Sequence, residues 1–218
     1  MDSDRASQDP HGDELAITRA SSSSSSLARE QAELRIRSLV AAGDIGSAVT
    51  GVLRLYGPEL FGFITALIEV PAFAREVYAT VGERISIGLR AFAWRCDVRT
   101  WIYALARREM GAFRDKHGCP INVLSPTQKP PSSGPFRQTA YRGVVANLRR
   151  RLAPEERELL ILRVDRRLSW RSLAFSTLGE GASDAELSAE EERLRDSLTR
   201  VKWKLAQMAK EHGILAVR

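Results

Sequence analysis

The sequence predicts an all-α protein: two small helical domains joined by a Pro-rich linker, the second a helix-turn-helix. Three observations carry this. Apolar residues recur at the helical period in run after run, as in Val77, Val81, Ile85 and Leu89 or Leu194, Leu198, Val201, Leu205 and Met208. Pro71 and Pro154 stand where helices should begin, at positions whose missing N–H does no harm. Pro120, Pro126, Pro130, Pro131 and Pro135 fall in one stretch between the periodic regions. With 218 residues, 44% of them hydrophobic, the chain can supply one medium core or two small ones. The expected division is a tail plus short helix over 1–42, a helical domain over 43–116, a linker over 117–140 and a second helical domain over 141–218.

Residues up to Ser26 are polar and end in six serines, too little apolar surface to offset ordering entropy, so a disordered tail is expected. Leu27 to Val40 reads as a short helix with Leu34 and Leu39 inward. Gly43-Asp44 punctuates the chain. Two runs follow, Val49 to Tyr56 and Leu60 to Ile68, with Pro58 near the first turn of the second. Pro71 opens the next helix.

From Phe92 to Arg114 the chain holds its densest mixture of aromatic residues and arginines. Asp97 is placed to cap a helix that starts at Val98. Val98, Trp101, Ile102, Leu105 and Ala112 then share one face, and Arg99, Tyr103, Arg107 and Arg114 share the far side. A basic stripe with a ring set in it can neutralise phosphates and stack on bases. Trp94 and Tyr103 are the aromatic candidates for nucleic acid, with Trp101 assigned to the core. The same pattern also describes a solvated cationic face beside a core tryptophan.

Beyond the linker, helices are expected from Tyr141 and from Pro154, the latter with Glu155 and Glu156 where the helix dipole favours acids. Ser169 is placed to cap a short helix through Phe175. Gly179 and Gly181 break the chain, and Ser188 with Glu191 has capping-box spacing before a long helix. That helix carries Arg195, Asp196, Thr199, Lys202 and Trp203 on its outer side, flanked by Arg200 and Lys204, and Arg195, Asp196, Thr199, Arg200 and Lys202 are its candidates for DNA contact. Short helix, break and long basic helix follow the logic by which a second helix enters a major groove and reads base edges. An ordinary helical hairpin with a solvated face has the same pattern.

A net charge of +6 suits a polyanionic partner. Cys96 and Cys119 form no CxxC, which fits a reducing compartment, and neither a membrane-length apolar run nor a signal core is present; a cytoplasmic protein is expected. GxxxxGK[ST], HExxH and GxSxG motifs are absent, and His11, His117 and His212 sit in expected tail, linker and C-terminal positions. His117 and Cys119 are two metal-ligand types without the further ligands structural zinc needs. Neither catalysis, cofactor nor metal is expected.

The residue order resembles the extracytoplasmic-function class of bacterial sigma factors, from about Gly43 to Ile214. Leu55-Tyr56-Gly57-Pro58-Glu59-Leu60-Phe61-Gly62-Phe63 is similar to the opening helix of the family's region two, and Arg99-Thr100-Trp101-Ile102-Tyr103-Ala104-Leu105-Ala106-Arg107 to that region's most specific motif. The resemblance implies that this helix and the loop before it melt the promoter and hold bases of the minus-ten element. Leu152 to Arg163 and Leu168 to Ala174 resemble region four, and by register Leu194 to Leu205 resembles its recognition helix for the minus-thirty-five element. Core RNA polymerase and promoter DNA are the implied partners, with an anti-sigma factor as a possible third. Two departures stand out. Where the family carries an acidic Asp-x-x-Gln-Glu signature that docks on core polymerase, this chain has Glu76 followed by Ala79 and Thr80, with Glu83 further along. The stretch from Leu178 to Leu194 exceeds the family's tight turn, so either the recognition helix starts early or a loop projects there. The first departure motivates an alternative: a standalone helix-turn-helix DNA-binding regulator that has lost core polymerase binding.

Overall fold

A computed structural model describes residues 27–117 and 137–211, with side chains from 143 onward in the second segment. The expected tail and nearly all of the expected linker, Cys119 included, lie outside the described residues, as does His212. Every regular element among the described residues is helical.

Helix α1 spans residues 27–41. Leu39 packs against the core as expected, but Leu34 is 60% exposed and Ile36, at 3%, is the buried residue in its place. Ile36 closes on Gly51 so tightly that a Cβ there would lie 3.1 Å from its Cγ1. Gly43 ends α1 in the left-handed region (φ 80°), and the Asp44 carboxylate accepts from the Ser47 N–H at 3.1 Å to begin α2 (Ile45–Leu67). The break expected near Pro58 is absent. α2 runs straight through it, because Tyr56, Leu60, Phe63 and Ile64 bury on one continuous face and outweigh the lost backbone bond. Gly57, just before, leaves room for Tyr78: a Cβ would lie 2.8 Å from the Tyr78 hydroxyl.

Pro71 opens α3 (Pro71–Gly88) as expected, and Val77, Val81 and Ile85 are fully buried along it. A 3-10 turn at Leu89–Ala91 leads to α4 (Val98–His117), whose first turn is capped by the Asp97 carboxylate accepting from the Thr100 N–H. Val98, Trp101, Ile102 and Leu105 are buried as expected, whereas Ala112 is exposed. Helices α2, α3 and α4 pack against one another.

The second half holds α5 (Arg137–Arg150), α6 (Pro154–Leu160) with a π turn at Ile161–Asp165, α7 (Trp170–Leu178) and α8 (Asp184–Glu211). Ser169 caps α7 by accepting from the Ser172 N–H at 3.0 Å. α8 starts earlier than the Ser188 box predicts. Ser183 and Glu186 form the working box: the Ser183 N–H donates to Glu186 at 2.8 Å, and the Glu186 N–H to the Ser183 hydroxyl at 3.3 Å. Ser188 lies inside the helix, donating to the Asp184 carbonyl at 2.9 Å. Nothing between Asp184 and Ser188 interrupts a helix, so propagation runs back to the first cap after Gly181. The turn between α7 and α8 is therefore only residues 179–183.

One apolar core runs from Ile36 through Tyr56, Ile85 and Ile102 to Leu152, Leu162 and Val201. A smaller cluster of Ala174, Phe175, Ala182 and Leu187 joins α7 to the start of α8, with Cys96 packed against it. α4 packs directly on α7. No helix among the described residues is long and apolar enough to cross a membrane.

Candidate nucleic-acid interface

The α4 stripe and the outer side of α8 are the two candidate surfaces, and they differ in what covers them. On α4, Arg99 and Tyr103 converge on the Glu59 carboxylate of α2. The Arg99 Nε donates to Oε1 at 3.0 Å and the Tyr103 hydroxyl to the same oxygen at 2.8 Å. The Tyr103 ring is 1% exposed and meets Phe63 edge to face at 5.1 Å. This corrects the outward orientation expected for Tyr103. The helix is buried on more than its apolar stripe, because α2 brings a carboxylate to meet the phenol and satisfies it.

Burial alone would raise the Glu59 carboxyl, but hydrogen bonds from Arg99 and Tyr103 and the charge of Arg99 outweigh it and hold it below its ordinary range. Burial, then the Glu59 charge, pushes the Tyr103 phenol up, so it remains a protonated donor.

Further along α4, the Arg107 Nε donates to Glu158 of α6 at 2.5 Å, and its Nη1 donates to Ser176 at 2.9 Å and Thr177 at 2.7 Å on α7. Arg114 reaches Glu155 at 3.2 Å. Arg99 also donates to the Arg166 carbonyl at 2.7 Å. Trp94 sits before α4 in the left-handed region (φ 58°), half-buried, with its ring 4.9 Å from that of Phe92 and Arg37 of α1 over its face at 5.3 Å. All five expected region-two contacts thus already have partners within the chain.

The α8 surface is open. Arg195, Asp196, Thr199, Arg200 and Lys202 are all exposed, and Trp203 beside them is 66% exposed. Arg195 pairs with Glu191 one turn back at 2.9 Å and lies over the Trp170 ring at 5.3 Å, which steadies it while leaving it in solvent. Arg200 donates to Ser197 at 2.9 Å. Leu198, Val201 and Met208 are buried and hold the opposite side of the helix against the core.

Glu76 and Glu83 are exposed on α3, away from Val77 and Val81. Sequence reasoning missed the residues that organise the α4 surface: Glu59, Glu158 and Arg95, whose guanidinium donates to the carbonyls of Glu180 and, at 3.1 Å, Ala182. It also missed Arg157, 3% exposed and paired with Glu69 at 3.2 Å. A carboxylate without a periodic partner carries no sequence signal; its role arises only where helices meet. The described residues hold no cluster of three or more potential metal-ligating side chains.

No family model matches this chain, and no curated protein matches it significantly.

Proposed function

We propose that this is a DNA-binding protein of the helix-turn-helix kind, with α8 as its recognition helix. Within that class, we propose an extracytoplasmic-function sigma factor, a non-enzymatic cytoplasmic subunit that gives RNA polymerase its promoter choice. The observation that carries the DNA reading is the outer side of α8: arginines, a lysine and a threonine in solvent on a helix braced from behind across α7. Such a helix can place side chains on base edges while its cations meet phosphates. The nine-residue Arg99 to Arg107 run, similar to region two, extends this to promoter melting.

Changing Arg195, Thr199 and Lys202 together to Ala should abolish preference for the target duplex. Arg195→Ala alone should cost about 1–3 kcal/mol of binding and relax preference at one base pair, whereas Lys202→Ala should weaken all duplexes alike. Fluorescence anisotropy with a selected duplex and a scrambled one reads both. Normal binding by the triple variant would remove α8 from the interface.

Co-purification with core RNA polymerase, followed by promoter-directed transcription in vitro, tests the sigma reading. Weak but measurable association is expected, because Glu76 and Glu83 remain exposed on α3 while Ala79 and Thr80 remove acid between them. Glu76→Lys with Glu83→Lys should weaken it further across a salt series. The same Ala79-Thr80 pair favours the second reading, a regulator without core binding; no association at low salt would select it.

A further inference from the structure

The α4 stripe is covered by groups that share the acceptor chemistry of a nucleic-acid backbone. Glu158 and Glu155 present carboxylate oxygens to Arg107 and Arg114 at 2.5 and 3.2 Å, and Ser176 and Thr177 present hydroxyl oxygens to Arg107. Backbone carbonyls do the rest, Arg166 accepting from Arg99, and Glu180 and Ala182 from Arg95. Each of these contacts links residues 95–114 to residues 155–182, segments that residues 115–154 join in the sequence. A phosphate reaching Arg107 must displace Glu158, because both seek the same guanidinium edge. Among the described residues the outer side of α8 carries no comparable cover: Lys202 makes no ion pair, and Arg195 is held by its helical neighbour Glu191 and the Trp170 ring.

Resting on the nucleic-acid reading of α4, we infer that α6 and α7 form an intramolecular clasp that occupies the α4 surface as a stand-in for phosphate. The clasp and a single-stranded nucleic acid exclude one another, while α8 stays available to duplex DNA in the closed form. Binding then proceeds in order. Duplex engages α8 first, and Arg107 and Arg114 become accessible only when the α6–α7 face lifts from α4, while Glu59 of α2 continues to hold Arg99 and Tyr103. The apolar core that both halves share holds the closed form, and the ion pairs tune how readily it opens. Glu155 is well exposed and its pair with Arg114 is weak and salt-screened, whereas Glu158 and Arg107 are largely enclosed and make the stronger contact. Raising salt loosens the clasp, and a high local concentration of phosphates competes with it directly.

The test uses the full chain with Glu155→Gln and Glu158→Gln together, changes that keep side-chain shape and remove charge. Affinity for a labelled oligothymidylate is measured at about 50 mM salt, where phosphate contacts are strong, and the radius of gyration is measured by X-ray scattering. The double variant should expand and bind the oligonucleotide about tenfold more tightly, the factor expected if about one wild-type molecule in ten is open. Adding Arg107→Ala to that variant should remove the gain. Glu155→Gln alone, at an exposed first-turn position of α6, should give about a two- to threefold gain, the size of an exposed ion pair. If wild type and the double variant bind equally well, the clasp is overturned and the nucleic-acid reading of α4 stands. If neither binds, the reading of α4 falls and the clasp as a phosphate stand-in falls with it.

Discussion

Tyr103→Ala is expected to destabilise the fold by about 3–5 kcal/mol, as large as any other truncation of a buried aromatic. The ring is fully enclosed, packs edge to face on Phe63 and lies beneath Arg99, whose guanidinium sits 5.8 Å from its centroid. Its removal opens a cavity between α2 and α4 and takes a hydrogen bond from Glu59. Tyr103→Phe keeps the volume and should cost only about 1 kcal/mol, since Arg99 continues to satisfy the carboxylate. Trp101→Ala belongs in the same range as Tyr103→Ala. Its ring stacks on Phe92 at 4.8 Å and lies so close over Gly88 that a Cβ there would meet it at 3.0 Å. Urea unfolding of the three variants decides the matter. A Tyr103→Ala midpoint close to wild type would return the ring to the surface.

Glu59→Ala should cost about 1.5–3 kcal/mol, the value of hydrogen bonds to a charged group, because it strands two donors at once. Arg99 and Tyr103 both end on Glu59 Oε1, and the ion pair keeps only about a fifth of its side-chain surface in water. Truncation leaves a largely enclosed guanidinium, held only by the Arg166 carbonyl among these partners, and a buried phenol without its acceptor. The same carboxylate carries a pH signature. Its folded value lies below the ordinary 4.5, so the folded state binds its proton less readily than the unfolded chain. The stability it contributes is therefore present above about pH 4.5 and is lost as pH falls through the folded value. Glu156, held down against burial by Lys204, acts in the same direction, and Glu33, raised by burial, acts in the opposite one. The whole-protein pH curve sums them. Subtracting thermal melts of Glu59→Gln from those of wild type isolates the Glu59 contribution, and the difference should shrink on acidification below pH 4.5. A difference constant with pH would exclude a depressed Glu59.

The contrast between α4 and α8 shows how far a sequence reaches. Helical periodicity alone places Val77, Val81 and Ile85 inside α3, Trp101 and Ile102 inside α4, and Leu198 and Val201 inside α8, since a 3.6-residue repeat with one apolar face leaves one way to bury it. Asp97, Ser169 and Pro71 mark helix starts because capping is local chemistry, decided within three residues. Where two local signals compete, they do not settle the outcome. Ser183 and Ser188 carry the same box spacing, and Pro58 reads as a boundary until the continuous buried face of α2 carries the helix through it. The outward direction of Arg195, Thr199 and Lys202 was also determined locally: among the described residues all three stay exposed, with the Trp170 ring of α7 reaching Arg195. The fate of Arg99, Tyr103 and Arg107 was not. A polar side of a helix reads as solvated in one dimension, and only tertiary packing brings Glu59 of α2 and Glu158 of α6, respectively 40 and 51 residues away in sequence, into contact with those arginines. Ion pairs between helices have no periodicity and no fixed spacing. Their partners are chosen by which faces the apolar core presses together, and that choice belongs to the fold.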